Sequence, residues 1–262
     1  MIDIFEKIIE LRKDMTKAVL CTVVSSKGST PRKAGSKMVV AENENIFGTI
    51  GGGVLETKVI EKALEMMNTS LPQIVSYDLT KDLNMACGGS VEVYFESVSK
   101  QYKLYIFGAG HIAKALVRLM ASLDYNIYVI DDRDNIFNDW DSDLNNSHIS
   151  KIVSPYKNFL DEHPSDINTF IVIVTYEHSS DKEILRHYIK QDFAYIGMIG
   201  SKRKVEETKK LFISDNFATG EELEKVDMPI GLDIKAEGPE EIAISIAAKL
   251  ILEKNKLAIN PD

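Results

Sequence analysis

The sequence predicts an α/β protein in which a C-terminal Rossmann-like doubly wound parallel sheet follows a smaller N-terminal α+β domain. Three observations predict this class. A strand, a glycine turn, a helix, a second strand and an acid follow one another between Lys103 and Arg133. Helical and strand patterns alternate beyond them, and strand patterns with glycine-rich turns precede them. The short polar segment Ser97–Tyr102 separates the halves, so we place the domains at residues 1–100 and 101–262.

Composition narrows the class of protein. With 262 residues, 44% apolar and 27% charged, the chain has the make-up of an ordinary globular protein. Its formal net charge of −9 argues against a nucleic-acid partner, which needs a cationic face. No apolar run approaches the ~20 residues of a membrane span, and the N-terminus lacks the apolar region of a signal peptide. Cys21 and Cys87 form no C-x-x-C pair. We expect a cytoplasmic protein without a membrane partner.

Apolar periodicity, together with glycine and proline at the turns, predicts the elements of the N-terminal half. An apolar stripe at helical spacing begins the chain, and short apolar runs that suit strands follow it. In chain order the predicted elements are residues 2–15 (helix), Ala18–Ser25 (strand), Ser26–Ser36 (loop), Lys37–Ala41 and Asn45–Ile50 (hairpin), Val54–Met67 (helix), and Ile74–Leu79 and Val91–Phe95 (strands).

In the C-terminal half, buried-type apolar runs alternate with amphipathic stretches, which is typical of a parallel sheet covered by helices. A proline followed by two acids is a favourable start for the last helix. In chain order the predicted elements are strands at Leu104–Phe107, Ile127–Ile130, His148–Val153, Phe170–Thr175 and Tyr195–Ile199, and helices at Ile112–Met120, Asp181–Gln191, Ser201–Phe212 and Pro239–Lys254.

The glycine turn gives this half its strongest functional signal. Gly108, Gly110 and Ala113 form a G-x-G-x-x-A pattern, and Asp131 lies 21 residues after Gly110. In a dinucleotide-binding unit the first glycine allows the tight turn and the second lets the backbone approach a pyrophosphate. The helix N-terminus then faces the phosphates, and the acid is placed to bond a ribose hydroxyl. We favour a nucleotide-type site over a turn that binds nothing.

Polar residues that follow the first two strands of this half should share one crevice beyond the sheet. His111 could hydrogen-bond a phosphate or a ring nitrogen, or it could be a partly exposed surface histidine. Asp131 and Asp132 fit ribose recognition, as in NAD binding. Arg133 could instead receive a 2′-phosphate, so the type of cofactor stays open.

Two further polar segments follow later strands. Glu177 and His178 could form an acid–base or metal site, but without a third ligand at metal-like spacing we favour ordinary loop residues. In the segment Gly200–Lys204 a glycine leaves a strand, Ser201 caps a helix, and Lys202 and Arg203 put cations in its first turn. Cations at this end oppose the helix dipole, so a bound anion would remove the conflict. The alternative is a solvated helix start, and we favour the anion site.

The N-terminal half has three loops of interest. The first is basic and contains Arg32 with no acid near it, which suits an anionic ligand, an acidic partner or a solvated loop. The second places Gly51, Gly52 and Gly53 before a helix, where their amides could form an anion-binding nest or only a tight turn. The third carries Cys87 before two glycines. Amide donors there could stabilise a thiolate, although chemistry alone favours an ordinary loop cysteine.

These segments together resemble the XdhC/CoxI family, the xanthine dehydrogenase accessory factors. The resemblance runs in family order from residue 28 to about residue 246 and covers nearly the whole chain. One position departs from the pattern, because many family members carry a cysteine where this chain has Val54. The matching stretches are GSTPRKAGSKMVV, GTIGGGVLE, CGGSVEVYFE, IFGAGHIAKAL, VIDDR, VTYEHSSD, YIGMIGSKRK and PIGLDIKAEGPEEIAISI.

The resemblance implies a chaperone-like accessory factor that binds molybdenum cofactor, supports its sulfuration and delivers it to a xanthine dehydrogenase-type molybdenum hydroxylase. It implies that apoenzyme as a partner, with a cysteine desulfurase as a further candidate, and a homo-oligomer. Because Val54 is not a thiol, Cys87 is left as the candidate thiol ligand of molybdenum or sulfur carrier. Molybdenum cofactor is a phosphate-bearing pterin, so glycine turns and a cationic helix start suit it. They suit NAD(P) equally, which keeps an NAD(P)-dependent oxidoreductase with an NAD-binding fold as the alternative. We favour the maturation factor over a free-standing enzyme.

Overall fold

The chain divides into two compact units, Met1–Gln101 and Tyr102–Asp262, each with its own sheet and hydrophobic core. Within the described ranges, none of the helices has the length and apolar character that a bilayer crossing requires. The computed structural model describes residues 3–14, 16–68, 71–80, 89–98, 102–141, 144 and 148–259.

The first unit is an antiparallel sheet with helices packed on it. Its described elements in chain order are α1 (Ile4–Lys13), β1 (Ala18–Gly28), β2 (Lys37–Ala41), β3 (Ile46–Gly48), α2 (Gly53–Glu65), a 3-10 turn (Met66–Asn68), β4 (Gln73–Asp78) and β5 (Gly89–Ser97). The strands lie in the order β3-β2-β1-β5-β4. Every described strand pair in this sheet is antiparallel.

Alternation along β1 explains how this sheet buries both of its faces. Val19, Cys21 and Val23 point to the core beneath α2, whereas Ala18 and Leu20 point to a smaller core beneath α1. Successive side chains of a strand face opposite sides, so one apolar run can serve both cores. The helix α2 contributes Leu55, Val59 and Ala63, which recur at helical spacing.

Strands and helices alternate along the second unit. Its described elements in chain order are β6 (Tyr102–Phe107), α3 (His111–Met120), β7 (Tyr125–Asp131), β8 (Ile149–Val153), α4 (Tyr156–Glu162), β9 (Thr169–Ile173), α5 (His178–Tyr188), β10 (Tyr195–Met198), α6 (Lys202–Ser214), α7 (Gly220–Glu224), β11 (Val226–Asp227) and α8 (Pro239–Ile259). These strands form a parallel sheet in the order β11-β10-β9-β6-β7-β8.

The strand order reverses at β6. The chain first moves outward through β7 and β8, and it then returns to the other side of β6 to add β9, β10 and β11. Helices cover both faces, with α3 and α8 on one core and α4, α5 and α6 on the other. Alternate residues of β6, such as Ile106 and Phe107, belong to opposite cores. This is a doubly wound Rossmann-like sheet, so the predicted fold class is confirmed.

Several element boundaries differ from the prediction. β1 continues to Gly28, into the predicted loop, because it pairs with β5 as far as Gly28–Gly89. The helix α5 begins at His178 rather than Asp181, and α8 continues to Ile259. Three short elements, α4, α7 and β11, were not predicted. The longest of these spans 7 residues, about two turns, so its apolar residues show no sustained period.

Candidate functional site

The reversal of strand order creates a topological switch point between β6 and β9. β6 ends at Phe107, and the turn Gly108–Gly110 leads from it into α3. On the neighbouring strand, Val174 follows β9 and its amide donates to the carbonyl of Phe107 at 2.9 Å. In doubly wound sheets, ligands bind in the crevice beyond the carboxyl ends of the strands at this point. The predicted glycine turn therefore lies where such a site is expected.

The two glycines of this turn serve different purposes. Gly108 adopts a φ of +100°, and a Cβ there would lie 2.4 Å from the carbonyl oxygen of Val174, so the fold itself demands glycine. Gly110 has a φ of −72°, and a Cβ there would meet no atom within 4 Å. Folding does not require glycine at position 110. A ligand bound close to the backbone at the start of α3 would occupy the space that a side chain there would fill.

Asp131 is an internal brace of the glycine turn. Its side chain is fully buried, and one carboxylate oxygen accepts from the amide of Ala109 at 2.7 Å. The Arg133 guanidinium donates to both oxygens at 2.8 Å, and the Arg133 amide donates at 3.0 Å. Burial raises the pKa of Asp131, but the bonds from Arg133 and Ala109 outweigh it, so the pKa is lowered.

This geometry corrects the role predicted for Asp131. A ribose acceptor must present a carboxylate oxygen to the ligand, whereas both oxygens of Asp131 already accept from protein donors and none of its surface is exposed. The correct spacing from Gly110 reflects packing of the turn against the end of β7. The spacing between Gly110 and Asp131 locates the acid, but it cannot show that a nearby arginine hydrogen-bonds to both carboxylate oxygens.

An exposed cluster lies next to this brace. The Arg133 guanidinium stacks on the Tyr176 ring at 4.6 Å, and the Tyr176 hydroxyl donates to the exposed Asp132 at 3.2 Å. The cluster thus joins residues after β7 to residues after β9. Among the described residues, the buried Tyr156 hydroxyl has no hydrogen-bond partner. Tyr176, the aromatic member of this cluster, is among the polar residues that follow the fourth predicted strand of this half and were expected to face the crevice. Its contact with Arg133 was not predicted.

The predicted anion site at the start of α6 lies after β10, next to β9 in the sheet. Ser201 is the N-cap as predicted, because its hydroxyl accepts from the Lys204 amide at 3.4 Å. Lys202 and Arg203 are exposed and no acid occupies the first turn. A Cβ on Gly200 would meet only side-chain atoms, at 3.6 Å or more, so the fold also tolerates a side chain there.

His111 and His178 have different surroundings. His111 is the exposed first residue of α3, directly beside the glycine turn. His178 begins α5 and lies 3.7 Å from Asp181 through Nδ1 and 3.4 Å from the Thr208 hydroxyl through Nε2. Burial raises the pKa of Asp181. Among the described residues no group of three His, Cys, Asp or Glu side chains could hold a metal.

In the first unit, a carboxylate of the protein itself already accepts hydrogen bonds at the predicted anion nest. The Glu56 carboxylate accepts from the Thr49 hydroxyl at 2.6 Å and from the amides of Gly52 and Ile50 at 3.0 and 3.3 Å. Burial raises the pKa of Glu56, but these hydrogen bonds outweigh it and lower the pKa. The Gly52 amide of the predicted nest is therefore not free for a ligand, and the Gly51 amide donates to the Thr49 hydroxyl at 3.2 Å. Glu56 lies in the first turn of α2, and an acid at this position was the sequence signal that could have indicated this contact.

The remaining candidate residues of the first unit have different outcomes. Arg32 is exposed, and its Cγ would lie 3.5 Å from a Cβ on Gly51, so the basic loop and the glycine run are adjacent. Cys21 is buried in β1, and burial raises the pKa of its thiol to about 12, which suits an inert core residue. Cys87 lies outside the described residues.

A Rossmann-like parallel sheet with a glycine turn at its switch point defines the general class of protein. Two family models narrow this class to one family. The XdhC Rossmann domain matches residues 104–250, more than half of the chain, and the XdhC and CoxI family matches residues 11–78. The chain belongs to the XdhC family, so the resemblance predicted from its motifs is confirmed.

Known proteins similar to this chain carry related names. The uncharacterized protein YqeB of Escherichia coli is 30% identical over 97% of this chain, which spans only 46% of YqeB. A Bacillus subtilis protein, named as a probable subunit of xanthine dehydrogenase, is 22% identical, covering 95% of this chain and 97% of that protein. The molybdenum cofactor insertion chaperone PaoD of Escherichia coli is 34% identical over 28% of this chain and 24% of its own length.

The fold also has a solved counterpart. A crystal structure described as a xanthine dehydrogenase from Bacillus halodurans covers 95% of this chain and 96% of its own chain. The TM-score is 0.51 and the sequence identity is 24%. At this identity the likeness supports the fold alone.

Proposed function

We propose that this chain is an accessory factor that matures a xanthine dehydrogenase-type molybdenum hydroxylase. It binds molybdenum cofactor, supports its sulfuration and delivers it to the apoenzyme. Membership of the XdhC family supports this proposal, as do the names of two relatives, a molybdenum cofactor insertion chaperone and a probable part of a xanthine dehydrogenase. In this proposal the protein is a cytoplasmic homo-oligomer, and a cysteine desulfurase is a second partner.

The observation that carries the proposal is the open space at Gly110. A Cβ there meets no atom within 4 Å, so the start of α3 leaves room for a ligand to approach its backbone closely. The cofactor is a phosphate-bearing pterin, and its phosphate would lie on the turn Gly108–Gly110 beside His111. Asp132 would accept from a hydroxyl group of the ligand, the role predicted for it in ribose recognition. Gly200, Ser201, Lys202 and Arg203 would hold a second anionic group. Backbone amides at a helix start and cationic side chains are the donors that phosphate prefers.

The N-terminal domain, residues 1–100, would supply the sulfur chemistry in this proposal. Cys87 is the candidate thiol of this domain, either as a molybdenum ligand or as a sulfur carrier, because a cysteine thiolate is a soft metal ligand. Arg32 and the glycine run Gly51–Gly53 would hold the anionic cofactor. Arg32 would be the main donor, because the Gly52 amide donates to Glu56 and the Gly51 amide donates to Thr49.

The alternative is an NAD(P)-dependent oxidoreductase. Its only specific support is the Rossmann strand order with a glycine turn. The buried and fully bonded Asp131 offers no free oxygen to a ribose, so the exposed Asp132 would have to serve as the ribose acceptor in this alternative. A hydride-transfer enzyme would oxidise or reduce a nicotinamide cofactor without any client protein, so the two proposals differ in a measurable way.

The test is metal and pterin analysis of the chain purified from cells with an active molybdenum cofactor pathway. We expect molybdenum and pterin in equal amounts, and activation of a purified apo-hydroxylase. Cys87→Ser should fold and lose the sulfur or the metal, because oxygen cannot replace a soft thiolate or carry a persulfide. Cys21→Ser is the matched control in the same domain, and its folded fraction should activate the client normally.

Two results would contradict these assignments. Wild-type protein free of molybdenum and pterin, with tight NAD(P) binding instead, would replace the maturation factor with the oxidoreductase. Full loading and client activation by Cys87→Ser would remove the thiol role. The cofactor site would then rest on the Rossmann residues alone.

A further inference from the structure

A cavity of about 480 Å³ lies beside the start of α6, next to the proposed phosphate contacts. Its walls come from the end of β10 with Lys202, from the loop at residues 229–236, and from the first turns of α8. The volume lies within the range of about 300–1,000 Å³ that is typical of small-molecule pockets. This loop and helix contain the motif PIGLDIKAEGPEEIAISI, which the proposed function does not otherwise use.

The chemistry of the walls fits a ring with a charged substituent. The interior is largely apolar, and the rim carries charged side chains from two segments. Lys202 lies at one side, and Asp233 and Lys235 form an exposed pair at 2.7 Å. Apolar walls with a few polar groups at the edge are the usual composition of a site for a flat organic ligand. The apolar lining residues include Ile199, Pro229, Ile230, Leu232 and Ile242.

The pocket is held in shape by hydrogen bonds of its own loop. The Asp227 carboxylate accepts from the buried Tyr195 hydroxyl at 2.6 Å and from the Gly231 amide at 2.9 Å. The Ser245 hydroxyl donates to the Leu232 carbonyl at 2.6 Å and ties the loop to α8. A pocket that is rigid before binding spends little free energy on ordering itself.

The pocket and the glycine turn lie within reach of one ligand. Ile230 of the pocket belongs to the same core as Ala109 and Ala113 of the turn and α3, so both features lie on the same face of the sheet. Their strands, β10 and β6, are separated only by β9. Two strand spacings are about 10 Å, a distance that a phosphate-bearing heterocycle with a short linker can span.

We propose that this pocket binds the flat fused heterocycle, of purine or pterin size, of a phosphate-bearing ligand whose nearest phosphate contacts Lys202. The proposal deepens the proposed function and rests on it for the identity of the natural ligand. The pocket itself rests on the cavity, its apolar walls and Lys202. The ring makes the main contribution to selectivity, and the phosphate contacts fix its position.

Titration of the full chain with guanosine 5′-monophosphate and ribose 5-phosphate tests the pocket. The two probes carry the same phosphate, and guanine adds the aminopyrimidinone ring that a pterin also contains. We expect the nucleotide to bind at least tenfold more tightly. Ala236→Phe and Ile242→Trp each fill the cavity from a different wall. Both should remove this tenfold advantage and leave ribose 5-phosphate affinity within twofold of wild type.

Charge is tested separately. Lys202→Met should weaken both probes at least fivefold, whereas Lys210→Met removes the same charge farther along α6 and should change neither by more than twofold. Equal affinity of wild type for the two probes would overturn the ring pocket, and equal effects of the two lysine variants would overturn the contact with Lys202. Ribose 5-phosphate binding shows that each cavity variant is folded.

The same variants separate this inference from the proposed function. If cavity-filled protein still purifies with molybdenum cofactor, the pocket proposal falls and the maturation role stands. If wild-type protein carries no molybdenum cofactor but shows the nucleotide preference and loses it in both cavity variants, the pocket stands and the maturation role falls.

Discussion

A glycine can be required by the fold or by a ligand. Gly108 is an example of the first case, and we propose that Gly110 is an example of the second. Gly108→Ala should lower the free energy of unfolding by about 2–4 kcal/mol, because it combines a positive φ with a clash against the Val174 carbonyl. Gly110→Ala should lower it by less than about 1 kcal/mol, the usual effect at a helix N-cap. Urea denaturation of both variants measures the difference. Similar losses in both would contradict the distinction.

Glu56 should make the stability of the first unit depend on acid pH. Hydrogen bonds lower its folded pKa below the unfolded value. The charged group therefore contributes stability above the unfolded pKa, about 4.3, and the contribution is lost as pH falls through the folded pKa. Glu56→Gln should lower the free energy of unfolding at pH 7 and flatten its decline below about pH 4.5.

The control for this prediction is Glu65→Gln, at the end of the same helix, where the side chain is 68% exposed. Its pH profile should follow that of wild type. Denaturation curves collected between pH 3 and pH 7 give both profiles. An unchanged acid decline in Glu56→Gln would mean that the filled nest contributes nothing to stability.

Residue spacing predicted part of the site and missed the rest for a physical reason. The turn, the N-cap at Ser201 and the buried Cys21 followed from local rules. The hydrogen bonds of the Asp131 and Glu56 carboxylates could not be predicted in this way, because the positions of their donors depend on the folded backbone. Sequence locates an acid near a helix start, but only the fold tells whether that acid faces a ligand or its own chain.

At the scale of elements, Asp131 joins the end of β7 to the glycine turn after β6. Asp131→Asn should lower the free energy of unfolding by about 1–3 kcal/mol without any ligand present, since it weakens a buried, charge-assisted network. Asp132→Asn, at the exposed neighbour, should have little effect. A ribose contact predicts the opposite pattern for Asp131, namely weaker ligand binding with unchanged stability. Denaturation and ligand titration together decide between them.

The cationic first turn of α6 should be unfavourable without a ligand. Arg203→Gln removes a cation that opposes the helix dipole, but it also removes an exposed ion pair with Glu207 at 3.7 Å. Ligand-free stability should therefore change by less than about 1 kcal/mol. Affinity for a phosphate-bearing ligand should fall, most strongly at low salt where screening is weak. Lys210→Gln is the control in the same helix. If Arg203→Gln binds the ligand with wild-type affinity at every salt concentration, the segment is only a solvated helix start and not an anion site.

Most of the elements followed from clear local signals in the sequence. The strands β6, β7 and β9 contain continuous apolar runs, and α8 begins with a proline followed by two acids. The short helices α4 and α7 and the two-residue strand β11 are fixed by tertiary packing instead, through residues such as Phe159 and Leu223 in the second core. A helix of 7 residues or fewer has too few turns to show an apolar period, and a two-residue strand is too short to form an apolar run.

For the whole molecule, the central claim is that the carboxyl edge of the Rossmann sheet binds a phosphate-bearing cofactor at Gly110. Gly110→Asp tests it because its two effects have opposite signs. Aspartate is a better N-cap than glycine and suits the positive end of α3, so stability should hold or rise. The same charge repels a phosphate. Gly220→Asp, where a Cβ also meets open space at the start of α7, is the matched control.

The measurement is the molybdenum and pterin content per chain of these two variants and wild type, each purified from cells with an active cofactor pathway. We predict that Gly110→Asp loses at least nine-tenths of both while its thermal unfolding temperature is unchanged or higher, and that Gly220→Asp matches wild type. Normal molybdenum and pterin content in stable Gly110→Asp would contradict the account.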